Sequence, residues 1–154
     1  MAYREMGSAK VYVLEQEHEF GAPVARVFEA LTRDIGLWWW RGEDGKGPSA
    51  VLEQFVGGRF FHDAGDGKGN LYGLVSEFEP PRRIKLTGDF CNCEASFNVV
   101  TIRLEPRDDG GTTLRLSHHA AGEGDDAFMA SFDEGWQWGF DELQNYLKEN
   151  PASH

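Results

Sequence analysis

Hydrophobic positions recur with two different periods along the chain, and the order of those periods predicts its secondary structure. Residues 11–20 alternate loosely between apolar and polar side chains, which indicates a strand at the edge of a sheet. Pro23 suits the first turn of a helix, and residues 24–33 place apolar side chains at helical spacing. Residues 34–40 predict a second short helix or turn that carries consecutive tryptophans. This part of the chain therefore predicts a strand followed by two short helices.

Between residues 49 and 120 the period changes to two, and turns rich in glycine or proline divide the runs. The predicted strands cover residues 49–55, 59–63, 71–79, 82–90, 95–106 and 112–120. Because the connecting turns are short, successive strands are expected to pair as antiparallel neighbours. Phe60 and Phe61 must point to opposite faces of their strand, and the pattern leaves open which of them is inside.

The last segment returns to a helical period. One apolar stripe, about six turns long, comprises Phe128, Phe132, Trp136, Phe140, Leu143 and Leu147. Pro151 ends this helix. The chain is therefore predicted to be an α+β protein: a curved antiparallel sheet of about seven strands around a long C-terminal helix, with two short helices after the first strand. A helix lying across the concave face of such a sheet would leave a cavity between the two layers.

Charge and length narrow the classes of function. The 154 residues include 26 acidic and 15 basic side chains, which gives a formal net charge of −11. Nucleic acids and anionic membrane surfaces would repel this charge, so neither is expected as a partner. No apolar run reaches about 18 residues, and the N-terminal segment lacks an apolar signal core. We therefore expect a cytoplasmic protein without membrane insertion, folded as a single domain over residues 1–154 with its core at 11–149 and less ordered termini.

Cys91 and Cys93 are the two cysteines of the chain. Residues two apart in a strand lie too far from each other for a disulfide. Two interpretations follow: half of a metal site completed by His118 or His119, or two reduced thiols at the end of a strand. A structural zinc site usually has a second closely spaced ligand pair, which this sequence lacks. We therefore expect no metal and no other cofactor.

Strand alternation predicts which polar side chains face the cavity. Leu114 and Leu116 share a face with His118, so His118 is expected to point inward. By the same rule Val100 carries Asn98 inward. An inward histidine can anchor a ligand, act as a general acid or base, or be a satisfied interior residue, and the sequence leaves these alternatives open. The carboxylates form no credible dyad, so no catalytic residue is predicted.

Aromatic side chains make up 13% of the chain, which suits either a large core or an apolar pocket. Those of the C-terminal stripe are interpreted as a wall for a flat ligand or as plain core. Trp38, Trp39 and Trp40 follow the short helices, where three consecutive rings cannot all point inward. One of them is expected to be exposed as a gate or contact patch, unless the rings pack over the open end of the sheet. The candidate ligand-binding residues are His118, Trp136, Phe132, Phe128, Phe140, Asn98, Tyr72 and Trp39.

Five segments, in this order, resemble a known superfamily. They are the helix entry APVARVFEALTRDIGLWW, the glycine bend VGGRFF, the run YGLVSEFEPPRRIKLTG, the strand pair TIRLEPRDDGGTTLRLSHHA and the closing helix GWQWGFDELQNYLKE. Over about residues 11–149 the chain is similar to the START-like, birch-pollen-allergen-like helix-grip superfamily (SRPBCC). Within it, the chain resembles the branch named after the activator of the heat-shock-protein-90 ATPase. The resemblance implies the helix-grip fold, and the additional tryptophans predict an individual pocket shape.

Members of this superfamily bind lipids, hormones or polyketides, so the resemblance implies three alternative functions. The first is binding of a small apolar or aromatic molecule between the C-terminal helix and the sheet. The second is an enzyme of the cyclase, hydratase or aromatase kind that uses His118 in the same cavity. The third is a protein interaction module like the chaperone-ATPase activator, with exposed tryptophans among residues 38–40 as the contact. A protein partner and a homodimer are left open.

Overall fold

The computed structural model describes residues 2–91 and 95–152. Its helices are α1 (Val24–Leu31), a 3₁₀ helix (Ile35–Leu37) and α2 (Asp126–Glu149). Its strands are β1 (Lys10–Phe20), β2 (Ser49–Leu52), β3 (Arg59–Gly65), β4 (Lys68–Glu79), β5 (Arg83–Gly88), β6 (Ser96–Pro106) and β7 (Thr112–Gly122). The elements follow one another in the order that the hydrophobic periods predict. Among the described residues, no helix has the length and hydrophobicity needed to cross a membrane.

The strands form one antiparallel sheet in the order β1-β7-β6-β5-β4-β3-β2. β1 pairs with β7 along its whole length, from Lys10 opposite Gly122 to Phe20 opposite Thr112. It therefore lies at an edge of the sheet, as its loose alternation predicts. The α+β prediction is confirmed: a curved, seven-stranded antiparallel sheet packs around a long C-terminal helix, and two short helices follow the first strand.

Irregular pairing between β3 and β4 decides which of two adjacent phenylalanines is inside. The register shifts between Phe60 and Phe61. Phe60 is buried and stacks on Tyr72 of β4 with ring centroids 4.8 Å apart. Phe61 faces the other side, where the Arg59 guanidinium lies 4.4 Å from its ring centroid. His62, two residues after Phe60, therefore lies on the inner face and is also buried.

α2 packs across the inner face of the sheet. Its buried residues are Met129, Phe132, Trp136, Gly139, Phe140, Leu143, Tyr146 and Leu147. The Asp125 carboxylate caps the helix by accepting a hydrogen bond from the Phe128 backbone N–H at 2.9 Å. Gln16 of β1 donates to the backbone carbonyl of Asp133 at 2.9 Å. The buried positions are denser in the C-terminal half of α2, so its N-terminal half keeps one flank uncovered.

An ion network fixes α1 and the 3₁₀ helix to the C-terminal end of α2. Asp34 Oδ2 accepts hydrogen bonds from Arg26 and from the Tyr146 hydroxyl, both at 2.9 Å. Arg26 also donates to the backbone carbonyl of Asn150 at 3.1 Å. Burial alone would raise the pKa of Asp34, but the hydrogen bonds it accepts, that from Arg33 first, hold the pKa below its ordinary value. The network therefore depends on an ionised carboxylate.

Candidate functional site

His118 lies in the middle of a hydrogen-bond chain beneath α2. Trp136 Nε1 donates to His118 Nδ1 at 2.9 Å, and His118 Nε2 lies 2.8 Å from Asn98 Oδ1. Since an indole N–H can only donate, Nδ1 is the acceptor and the ring hydrogen resides on Nε2. Asn98 Nδ2 then donates to the backbone carbonyls of Gly88 and Asp89, both at 3.2 Å. The chain therefore fixes the orientation of every polar group in it.

The surroundings keep His118 neutral. Its side chain is fully buried, and its ring meets that of Phe132 with centroids 4.4 Å apart. Burial, and then the nearby His119, lower the pKa of His118 from 6.5 to about 4. Both ring nitrogens are engaged, so in this arrangement the side chain holds Trp136 in place and has no free nitrogen to offer a ligand.

Apolar side chains fill the space between α2 and the sheet. The gap that remains there is about 20 Å³, too small for more than about one water molecule. Phe140, one of the candidate residues, lies at this depth and stacks on Trp136 with centroids 5.7 Å apart. Phe140, His118 and Asn98 thus belong to the packed interior beneath the helix.

An open groove of about 410 Å³ lies beside the N-terminal half of α2. Its lining residues are Trp39, Trp40, Tyr72, Phe90, Ser131, Phe132, Glu134, Gly135, Trp136 and Trp138. The groove brings together four of the candidate residues: Trp39, Tyr72, Phe132 and Trp136. Phe128 packs on Phe132 with centroids 4.9 Å apart and lies outside the lining.

Three other residues of the groove wall are outside the candidate set: Phe90, Trp138 and Trp40, the last of which comes from the tryptophan segment expected to leave one ring exposed. The rings of Trp40 and Trp138 are nearly perpendicular, with centroids 5.3 Å apart, and are 42% and 40% exposed. Trp138 comes two residues after Trp136 and lies off the apolar stripe, so only the surplus of aromatic residues in α2 could have indicated it. Phe90 reaches the groove from the turn after β5, where its φ is 55°. A hydrophobic period indicates the face that a helix buries. Trp138 lies beside that face of α2, and Trp40 and Phe90 lie outside regular helices and strands.

Hydrogen bonds orient Tyr72 in the groove wall. His62 Nε2 lies 2.8 Å from the Trp40 carbonyl, which can only accept, so Nε2 donates and Nδ1 accepts. The Tyr72 hydroxyl donates to that Nδ1 at 2.9 Å. Burial raises the pKa of Tyr72, and the neighbouring Trp39 indole opposes part of this rise. Trp39 Nε1 itself is buried and makes no hydrogen bond of ordinary geometry with the described residues, a rare state for a buried donor.

Gly135 lies inside α2, where the helix borders the groove. Glycine inside a helix costs about 1 kcal/mol relative to alanine, yet a Cβ at this position would meet no atom within 4 Å. Packing therefore does not require the glycine. Gly139, about one turn later, differs because its Cβ would lie 3.3 Å from the ring of Trp39. The missing side chain at Gly135 leaves the groove wider.

Two further places in the molecule carry groups that are capable of chemistry. A depression of about 630 Å³ on the outer face of the sheet is lined mainly by polar and charged side chains, among them Arg115, which pairs with Glu17. Cys91 Sγ donates to the Leu71 carbonyl at 3.0 Å, and partial burial raises the pKa of its thiol. Cys93 lies outside the described residues. Within residues 2–91 and 95–152, no three His, Cys, Asp or Glu side chains form a group that could hold a metal ion.

Comparison with known proteins gives a family match and several similar folds. The model of the family described as activator of Hsp90 ATPase homolog 1-like protein matches residues 21–148. An uncharacterized protein from Rhizobium leguminosarum superposes with a TM-score of 0.75 at 22% identity, over 93% of this chain and 98% of its own. CalU16 from Micromonospora echinospora has a TM-score of 0.61 at 24% identity, over 92% of this chain and 78% of its own.

DynU16, from the dynemicin biosynthetic locus, has a TM-score of 0.69 at 22% identity. The match covers 88% of this chain and 47% of DynU16. No curated protein matches the sequence. At these identities the structural likeness shows the fold alone.

Proposed function

The chain belongs to the family of activator of Hsp90 ATPase homolog 1-like proteins, and from that premise we propose that it binds a small hydrophobic or aromatic molecule in the groove beside α2. The groove carries the proposal: it is open, its volume of about 410 Å³ suits a small ligand, and aromatic side chains form most of its wall. Trp39, Tyr72, Phe132 and Trp136 are the proposed contacts from the candidate set. His118 and Asn98 support this wall from behind by fixing Trp136.

Two details favour a ligand over an accidental surface depression. Gly135 costs helix stability where packing does not call for a glycine, and its missing side chain leaves room in the groove. The Trp39 N–H is buried and lies near the Tyr72 hydroxyl without reaching ordinary hydrogen-bond geometry, so a carbonyl or hydroxyl of a ligand would offer it a better acceptor. The Tyr72 oxygen, oriented by His62, can accept a hydrogen bond from the same ligand.

The geometry favours binding over the alternative of catalysis by His118. A general acid or base needs a nitrogen within reach of the substrate, and both nitrogens of His118 are bonded inside the protein. The exposed rings of Trp40 and Trp138 are interpreted as the mouth of the groove.

Isothermal titration calorimetry against a panel of flavonoids, aromatic acids, aromatic amines, fatty acids and sterols tests this proposal. We expect a saturable ligand whose affinity falls about tenfold or more in Trp138→Ala, because a tryptophan wall is lost. Trp138 is 40% exposed, so the variant should fold. Phe97→Ala is the matched control, since Phe97 is an exposed aromatic residue of β6 outside the groove lining.

Phe97→Ala should bind like the unaltered protein. Equal losses in the two variants would indicate nonspecific binding to exposed rings. A folded protein that binds no member of the panel would count against the groove as a ligand site.

A further inference from the structure

The lining of the groove combines many aromatic rings with a single kind of charge. Four tryptophans, one tyrosine and two phenylalanines contribute to it, together with the carboxylate of Glu134. No lysine, arginine or histidine is among its described lining residues. The π faces of aromatic rings carry negative electrostatic potential, and tryptophan attracts cations most strongly. The ring faces and the carboxylate therefore both favour a positively charged ligand.

The mouth of the groove has the geometry of an incomplete aromatic cage. Trp40 and Trp138 meet at an interplanar angle of 84° with centroids 5.3 Å apart, so they form two adjoining walls. Glu134 lies about one turn before Trp138 on α2, and residues four apart are neighbours on a helix surface. A cation in this corner would contact two ring systems and approach one carboxylate.

The nearest basic side chain in sequence does not offset this preference. Arg41 follows Trp40, but its Nε donates to the Gly47 carbonyl at 3.1 Å and so turns toward its own loop. The whole chain carries a formal charge of −11, which attracts cations at long range. An anionic ligand would meet Glu134 and the ring faces without a compensating positive charge in the described lining.

We propose that the groove selects an organic cation: an alkylated ammonium group held between Trp40, Trp138 and Glu134, on an apolar or aromatic body that lies against Trp39, Trp136 and Phe132. This inference rests on the proposed function, because it names the class of ligand for the same groove. An ammonium group is attracted to the face of each of the two rings, and the two attractions together favour a cation over a neutral group of the same shape.

A pair of probes that differ in charge but hardly in shape tests the selectivity. In 4-(trimethylammonio)phenol a quaternary nitrogen replaces the quaternary carbon of 4-tert-butylphenol. We expect the cation to bind at least about tenfold more tightly in calorimetry at low salt, since 1.4 kcal/mol corresponds to tenfold. Added salt should weaken binding of the cation and leave that of the neutral phenol nearly unchanged.

Two glutamate variants of α2 separate the carboxylate from general effects of charge. Glu134→Gln should reduce affinity for the cation about threefold or more and leave the neutral probe unaffected. Glu142→Gln removes the same charge about two turns further along the helix, outside the groove lining, and should change neither affinity.

The outcomes distinguish this inference from the proposed function. Equal affinities for the two probes would overturn cation selectivity and leave groove binding in place. Equal losses of both probes in Glu134→Gln would also overturn it, because they would indicate a change of shape. Failure of the folded protein to bind either probe or any member of the ligand panel would overturn both proposals.

Discussion

His118 illustrates how one residue can have the chemistry of a site and yet serve the structure around it. Its inward direction follows from alternation with Leu114 and Leu116, and the structure places it fully buried. Its partners could not be predicted from that pattern. Asn98 and Trp136 come from another strand and from α2, and only the three-dimensional packing brings both within hydrogen-bond distance. Strand alternation predicts the direction of a side chain, whereas its role depends on the residues that pack against it.

The neutral state of His118 predicts how stability depends on pH. Its pKa is about 4 when folded, below the ordinary 6.5 expected in the unfolded chain. The unfolded state therefore binds more protons between these values, and this contribution to stability is complete above about pH 6.5 and falls as the pH drops toward 4. The expected loss is about 3 kcal/mol at most, at 1.36 kcal/mol for each pKa unit.

Urea unfolding at a series of pH values between 7 and 4 measures this loss against His118→Gln. The glutamine keeps a hydrogen-bonding amide and does not titrate, so its absolute stability is lower but its pH dependence should be flatter. His18 of β1, whose pKa burial lowers, is present in both proteins and cancels in the comparison. Parallel pH profiles for the two proteins would contradict the assignment.

At the scale of elements, the ion network holds the short helices against α2, a role that hydrophobic contacts have elsewhere in the fold. Replacing Asp34 by asparagine removes one of the two carboxylates that pair with the buried Arg26 guanidinium, whose side chain is only 5% exposed, and leaves Glu29 at 3.1 Å as the other. Breaking a buried pair from one side costs about 3 kcal/mol or more. We expect Asp34→Asn to lower stability by about that amount in guanidinium unfolding, chiefly by loosening α1 from α2.

An exposed ion pair provides the control for Asp34→Asn. Glu53→Gln removes the pair between Glu53 and Arg59, whose arginine side chain is 54% exposed, and should cost less than about 1 kcal/mol. Because the folded pKa of Asp34 is lowered, its contribution is present above the ordinary carboxyl range and is lost as the pH falls through the folded value. An Asp34→Asn loss no larger than that of Glu53→Gln would show that the network is dispensable.

The elements themselves were largely predictable, and their ends were less so. The strand predicted over 49–55 stops at Leu52, because Glu53 turns its carboxylate back to the Arg59 backbone at 2.8 Å. α2 begins at Asp126, two residues before Phe128, the first residue of the apolar stripe, because the Asp125 side chain caps the helix there. The choice between Phe60 and Phe61 depended on a β-bulge and on stacking with Tyr72. Each difference arises from a specific side-chain contact that a hydrophobic period does not contain.

At the scale of the whole molecule, the helix-grip order predicted a cavity beneath the long helix, but the open groove of about 410 Å³ lies at the helix flank. The interior holds Phe60, Trp136 and Phe140, whose volumes leave a gap of about 20 Å³. A hydrophobic period shows which positions are apolar but not how much volume their side chains fill, so it does not distinguish a packed interior from an empty cavity. The groove that results is bounded on one side by the tryptophan segment and on the other by the part of α2 with fewer buried residues.

This placement predicts a conflict between stability and binding at Gly135. An alanine there removes the conformational cost of a helical glycine and meets no atom within 4 Å, so the free energy of unfolding should rise by about 0.5–1 kcal/mol. In a chain of this size the melting temperature should rise by about 1–4 °C. The new methyl group, however, enters the groove and should weaken binding of 4-tert-butylphenol, and Gly135→Leu should weaken it further.

In calorimetry, two control variants, Asn145→Ala and Gly139→Ala, separate the filling of the groove in Gly135→Ala from a general gain in helix stability. Asn145→Ala lies on an exposed face of α2 outside the groove lining and should stabilise the helix without changing affinity. Gly139→Ala should gain little stability, because its Cβ would press on the Trp39 ring at 3.3 Å. If Gly135→Ala raised stability and kept full affinity, the ligand would have to bind elsewhere, since a groove that tolerates the added group is not in close contact with its occupant there. A gain in stability joined to a loss in affinity would mean that the glycine is kept at a thermodynamic cost to the fold because the ligand needs the space.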